Sequence, residues 1–129
     1  MAPTIRIVLP QRTVRSQLAL VRKICDLFPE VEVREGQHHA FLVRGKKFAY
    51  YLVDHHGDDR VSLECKAEKG VNEALVARDG SRFFLPPYMA HHGWIGLYLD
   101  VGRVDWGEVE ALLTDAYRLA APKKLASAV

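Results

Sequence analysis

Several things are scarce in this chain, and each scarcity removes a class of function. Only two cysteines occur, Cys25 in "VRKICDLF" and Cys65 in "VSLECKA". Without CxxC spacing they do not make a disulfide framework or a zinc cluster; they read as small buried hydrophobes in a reducing compartment. No apolar run approaches the length of a membrane span, and "MAPTIRIVLPQRT" lacks the apolar core of a signal peptide. The expectation is a cytoplasmic protein without a membrane partner. Neither sign of charge dominates: 18 basic residues stand against 16 acidic ones, net +2, so any electrostatic function has to come from local clustering. Catalytic signatures are missing as well. There is no GxSxG and no phosphate-binding glycine loop, and "GWIG" leads into a strand rather than a helix. Ser16, Ser62, Ser81 and Ser127 have no recognisable base arrangement, so the chain is read as a non-enzyme with no catalytic residues and no cofactor.

What is present describes one domain over residues 1–129, large enough to bury a core without staples. Residues 4–9, "TIRIVL", suggest a short strand stopped by Pro10. From Thr13 to Phe28 the apolar positions Val14, Leu18, Val21, Cys25 and Phe28 step by four, three, four and three, the stripe of an amphipathic helix ended by Pro29. From Val31 the period becomes two, and "HAFLVRGKKFAYYLVDHHGDDRVSLECKA" gives three strands joined by tight connections. With Gly45-Lys46 as the first turn and DHHGDD as the second loop, one face collects Phe41, Val43, Phe48, Tyr50, Leu52, Val61, Leu63 and Cys65 as core. The other face, with Leu42, Arg44, Tyr51, Ser62, Glu64 and Lys66, is expected to be largely solvated. A helix follows over Val71–Arg78, then the stiff loop "RFFLPPY" and a strand in "WIGLYLDV". Asp105 and Glu108 have capping-box spacing ahead of a last helix that buries Val109, Leu112, Leu113, Ala116, Tyr117 and Ala120. Pro122 closes that helix, and residues 122–129 are expected to form a loose tail. The class is α+β, an antiparallel sheet meander with helices packed on one face.

All six histidines come in adjacent pairs, His38-His39, His55-His56 and His91-His92. Adjacent rings on a strand point to opposite faces, so a pair alone does not chelate one ion. The hairpin register nevertheless brings His38 and His39 beside the DHHGDD loop, and the nitrogen and carboxylate donors of His38, His39, Asp54 and His56 form the candidate metal or small-ligand set. Against this, HExxH-type spacing is absent, and Asp and Gly serve turns in their own right; the loop is read first as a polar hairpin tip. The third pair lies in "PPYMAHHGWIG", where Tyr88, His91, His92 and Trp94 form a candidate ligand or partner surface, with Trp94 buried in a packed corner as the plainer reading. At the opposite end of the sheet the same register gathers Arg44, Lys46, Lys47 and Lys66, a basic hairpin tip able to meet phosphates. A solvated, aggregation-resistant edge accounts for those lysines equally simply.

Three segments together, "FPEVEVREGQHHAFLVRGKKFAYYLV", "RFFLPPYMAHHGWIGLYLDV" and "VDWGEVEALLTDAYRLAAPKKL", resemble the MmcQ/YjbR-like family over about residues 28–125. Phe41, Gly45, Lys46 and Phe48 match in the hairpin. Arg82, Phe83, Pro87, Tyr88, Gly93 and Trp94 match in the aromatic turn, and Asp105, Trp106, Tyr117, Pro122 and Lys123 near the end. The resemblance implies a small bacterial α+β domain related in shape to secretion chaperones, of a kind commonly labelled DNA-binding with a double-wing arrangement of strands. It also adds Arg82 to the candidate DNA contacts. Two departures stand out: His92 occupies the place where relatives often carry a fixed positive charge before "GW", and residues 1–10 form an extension without obvious counterpart. The leading expectation is a DNA-binding module contacting phosphates through Arg44, Lys46, Lys47, Lys66 and Arg82. The alternatives are a protein-interaction module, as a homodimer or chaperone-like, using a face around Tyr51, Pro86, Pro87 and Tyr88, and a small-ligand or metal site at the histidine-rich loop.

Overall fold

A computed structural model describes residues 8–129. The strand expected over residues 4–9 falls largely outside the described residues, and residues 8–10 carry no regular element. The chain then runs through α1 (Gln11–Cys25), β1 (Val31–Arg34), β2 (His39–Val43), β3 (Lys46–Val53), β4 (Val61–Cys65), α2 (Val71–Arg78), β5 (Phe83–Phe84), β6 (Ile95–Tyr98), α3 (Trp106–Ala120) and α4 (Lys123–Ala126). Six antiparallel strands form one sheet in the order β1-β2-β3-β4-β6-β5. The meander therefore has one strand more than expected, because "VEVR" pairs with β2, and the stiff loop before the aromatic turn contributes the short β5.

The core lies between one face of the sheet and the helices. Val21 and Cys25 of α1 meet Val109, Leu113, Ala116, Tyr117 and Ala120 of α3 over Phe41, Ala49, Tyr51, Leu63 and Ile95. Phe28, Phe48 and Tyr117 form a ring cluster with centroids 4.9–6.4 Å apart, and the Tyr117 hydroxyl donates to the Pro29 carbonyl at 2.7 Å. Cys25 and Cys65 are buried free thiols; burial raises both, Cys65 to about 12, which keeps them inert. The Asp105 carboxylate caps α3 by accepting from the Glu108 amide at 3.2 Å. Beyond Pro122 the chain is not a loose tail: α4 makes one more turn, Leu125 and Val129 pack against the core, and Arg118 donates to the Val129 carbonyl.

The register differs from expectation, and the difference decides what the second face carries. The first hairpin turns at Arg44-Gly45, not Gly45-Lys46, with Val43 opposite Lys46. Both turn residues have positive φ, 50° and 78°, the condition for a two-residue type I′ connection. A β-bulge then inserts Phe48, so that Phe41 faces Ala49, and on the other side Tyr51 faces Leu63. The outcome is a one-residue shift over the rest of β3. Tyr51 enters the core at 1% exposure, while Tyr50 and Leu52 pass to the face expected to be solvated. That face is not open to water: Ser62, Glu64 and Leu52 on it are all buried, and Pro87, Tyr88 and Met89 line a cavity with them.

Candidate functional site

The second face is shaped by the loop between β5 and β6. Pro86 fixes the entry to a pair of turns, with the Met89 and Ala90 amides donating back to its carbonyl. Buried Asn72 of α2 then anchors the loop: its amide nitrogen donates to the Ala90 carbonyl at 2.9 Å and to the Trp94 carbonyl at 3.1 Å. Gly93, at φ 91°, brings the backbone so close to Ala67 that a Cβ there would lie 2.7 Å from its carbonyl oxygen. The loop thereby holds Trp94 beside Lys66, and Met89 beside Tyr50, across the strand ends.

The first part of the face is a shallow groove of about 430 Å³ at the hairpin end, lined by Lys46, Lys47, Lys66, Tyr50, His92 and Trp94. The Tyr50 and Trp94 rings sit 5.6 Å apart. The Lys47 ammonium lies 5.6 Å from the Tyr50 ring centre and that of Lys66 6.0 Å from the Trp94 ring centre. Among the described residues none of the three lysines has a carboxylate partner. The two arginines expected to join them are engaged elsewhere. Arg44 makes a bidentate pair with Glu30 at 2.7 and 2.9 Å, and Arg82 is held by Asp79 at 2.6 Å and Glu108 at 2.7 Å. Those bonds lower the Glu30 and Asp79 carboxyls and raise both guanidiniums. Neither arginine lines the groove.

Tyr50 and Met89 also border a second, deeper space. It is a cavity of about 290 Å³ whose walls include Leu52, Pro87, Tyr88 and His38, adjoining one of about 360 Å³ bounded by Phe84, Leu85, Ser62 and Tyr98. Glu64, His55 and His56 line both. Glu64 is 8% exposed, and its carboxylate has no hydrogen bond or ion pair among the described residues. Burial, with the Asp58 carboxylate as a lesser contribution, pushes its pKa up to about 7. The sequence placed Glu64 on a solvated strand face; its phase on β4 is as expected, and the loop carrying Pro87, Tyr88 and Met89 makes it a buried acid.

The paired histidines are partly drawn together. The His55 Nδ1 and His38 Nε2 atoms share a hydrogen bond of 2.7 Å, and the His55 and His56 rings stack 3.9 Å apart. Burial lowers both His38 and His55, and neighbouring histidine charge, that of His56 in the case of His55, depresses each further; the His38 Nδ1 atom is buried without a partner among the described residues. Asp54, at φ 53°, uses its side chain to accept from the Asp59 amide, and His39 lies in β2 opposite Tyr51. No group of three or more His, Cys, Asp or Glu side chains is placed to hold a metal ion among the described residues. His91 and His92 are exposed and stack on each other, Trp94 is buried, and Tyr88 is 87% exposed with a left-handed φ of 69°. The surface suggested for protein partners loses Tyr51 and Pro86, both buried, and keeps Pro87 and Tyr88.

The buried acid has a measurable consequence. A carboxyl whose pKa rises on folding favours the folded state fully below its unfolded value near 4.5, and that contribution is lost as pH climbs through about 7. Glu64→Gln is therefore expected to gain about 1–3 kcal/mol relative to the parent chain between pH 5 and pH 8. Urea unfolding of both proteins at the two pH values checks this; a difference independent of pH would mean that Glu64 is hydrated.

The class defined by these features is a small α+β domain with helices on one face of an antiparallel sheet and a bordered groove on the other. The chain belongs to the YjbR family, whose model matches residues 27–119. Among solved structures it is similar to protein DR2400 of Deinococcus radiodurans, described as carrying a DUF419 domain. That match has 21% identity and a TM-score of 0.64, and it covers 77% of this chain and 74% of the other. A protein from Pseudomonas syringae is similar at 13% identity and a TM-score of 0.63, over 87% of this chain and 99% of that one. At these identities the likeness concerns the fold alone. No curated protein matches the chain. No helix among the described residues is long and apolar enough to cross a membrane.

Proposed function

We propose that the protein is a non-enzymatic, cytoplasmic nucleic-acid-binding module that holds the phosphate backbone of DNA in the groove of Lys46, Lys47 and Lys66. The observation that carries this reading is the convergence of three lysines, none paired with a carboxylate among the described residues, on the Tyr50–Trp94 ring pair. Lysines of this kind make sequence-independent phosphate contacts, and the half-buried Tyr50 ring, backed by buried Trp94, fixes the floor between them. The near-neutral net charge does not oppose this, because the flanking arginines are internally compensated and the uncompensated charge is local. Arg44 and Arg82 drop out of the contact set for the same reason.

Lys46→Ala/Lys47→Ala/Lys66→Ala tests the assignment. Three lost phosphate contacts flatten the slope of log affinity against log salt by about 2–3, and affinity at about 50 mM salt falls roughly tenfold or more. Arg44→Ala, as a control, is expected to stay within about twofold of the parent chain, since its charge is already spent on Glu30. A triple variant that binds like the parent chain would remove the groove from the account.

A further inference from the structure

We propose that the cavity behind the lysine groove binds a small organic cation, an ammonium or amidinium carried on a flat apolar body, with Glu64 as its counter-ion. This goes beyond the nucleic-acid reading and does not depend on it: the two sites share only the wall formed by Tyr50 and Met89.

Three independent features converge on this chemistry. The first is space. A cavity of about 290 Å³, beside a second of about 360 Å³ that shares Glu64, His55 and His56 with it, is at the small end of the range that proteins use for organic ligands. One part of its wall is flat or apolar, Tyr50 and Leu52 from β3 and Pro87, Tyr88 and Met89 from the loop, and the rest is formed by Glu64 and the histidines His38, His55 and His56.

The second is the acid at its base. Glu64 is more than nine-tenths buried and lacks any hydrogen-bonding or charged partner among the described residues. Leaving a carboxylate in that state is costly, and proteins seldom keep one without a use for it. A ligand N–H donor bearing positive charge would satisfy both the hydrogen-bonding capacity and the charge at once.

The third is the sign of the surroundings. Of the groups facing Glu64, His38 and His55 are held below the usual histidine range and are neutral at pH 7. His56 lines both cavities, and Asp58 brings a second carboxylate to the adjoining one. The Arg60 guanidinium lies over the ring of Tyr98, which borders the second cavity, at 3.7 Å, but it is committed to Asp100 through two hydrogen bonds of 2.9 Å. The field in the cavity therefore favours a cation and disfavours an anion.

Tyr88 fits the same picture. It is 87% exposed, at the cavity rim, with a left-handed backbone that a tyrosine rarely adopts. Strain of this sort is concentrated at functional sites, and an exposed ring held at the mouth is placed to cover the apolar side of a bound ligand.

The probe is benzamidine, with benzyl alcohol and benzoate as neutral and anionic compounds of similar size, each titrated into the ¹⁵N-labelled chain and followed by amide NMR. The expected result is saturable shifts at Tyr50, Leu52, Glu64 and Met89 with benzamidine. Its affinity should exceed that of benzyl alcohol by about tenfold, and benzoate should leave these signals unmoved. Glu64→Gln is expected to abolish that preference, while the triple lysine variant keeps it. Equal affinity for the cation and the neutral compound, shifts centred away from these residues, or a preference that survives in Glu64→Gln would each overturn the assignment. The three-compound comparison on the parent chain stands by itself should the variant not fold.

Discussion

Arg60→Ala is expected to lower the free energy of unfolding by about 3 kcal/mol. Asp100 is only 2% exposed, and its carboxylate accepts two hydrogen bonds from the Arg60 guanidinium and a third, at 3.0 Å, from the Val61 amide. Taking away the guanidinium leaves a buried carboxylate with the Val61 amide among its remaining donors. The Arg60 side chain is itself 20% exposed, which sets the expected cost toward the lower end of what breaking a buried pair entails. Loss of the stack on Tyr98 adds to it. The pair also closes the Asp54–Arg60 loop onto the end of β6, so the variant is expected to loosen the wall of the cavity bounded by Tyr98 and Asp58. Urea unfolding gives the number; a loss below about 1 kcal/mol would mean that the pair behaves as an exposed one.

Gly93→Ala is expected to cost about 3 kcal/mol, from two sources that add at one position. A non-glycine residue at φ 91° carries roughly 1–2 kcal/mol of backbone strain. The new Cβ would also lie 2.7 Å from the Ala67 carbonyl oxygen, a backbone atom that cannot swing aside. Gly45→Ala separates the two contributions. Gly45 has φ 78° but nothing within 4 Å of its would-be Cβ, so only the conformational cost of about 1 kcal/mol applies. Equal losses in the two variants would show that the loop does not press on Ala67. Because Ala67 follows Lys66, relief of that contact should also move Trp94 away from the Lys66 ammonium and weaken the groove.

The helical part of this fold was legible because its signals are local. The α2 boundaries, the Asp105 cap and five of the six residues expected to be buried in the last helix follow from spacing that a helix reads within one or two turns. Even α1 is displaced by only two or three residues at each end. The sheet register was not legible, because "FAYYLV" offers apolar side chains at consecutive positions and satisfies either phase of a period of two. What fixes the phase is a bulge at Phe48 and an arginine in left-handed conformation at the turn, neither of which alternation reveals.

The candidate sites depended less on that register. Lysines adjacent to a turn come together in any register, so the grouping of Lys46, Lys47 and Lys66 survives. His38 likewise meets His55 at the loop end. The partners that neutralise Arg44 and Arg82, Glu30 and Glu108, approach from other elements and left no local signal. The phase of β4 was legible, with Val61, Leu63 and Cys65 inward, but Glu64 looks solvated as an alternating polar residue, and only the loop carrying Pro87, Tyr88 and Met89 turns its face into an interior.

The central claim is that the three lysines meet phosphates, and the salt dependence of duplex binding tests it most directly. A fluorescently labelled DNA duplex of arbitrary sequence, titrated at about 50 and 200 mM salt, is predicted to bind at micromolar or tighter affinity in the first condition. For three phosphate contacts the affinity should be about 40-fold weaker in the second. No binding at the lower salt, or an affinity indifferent to the change, would contradict the account.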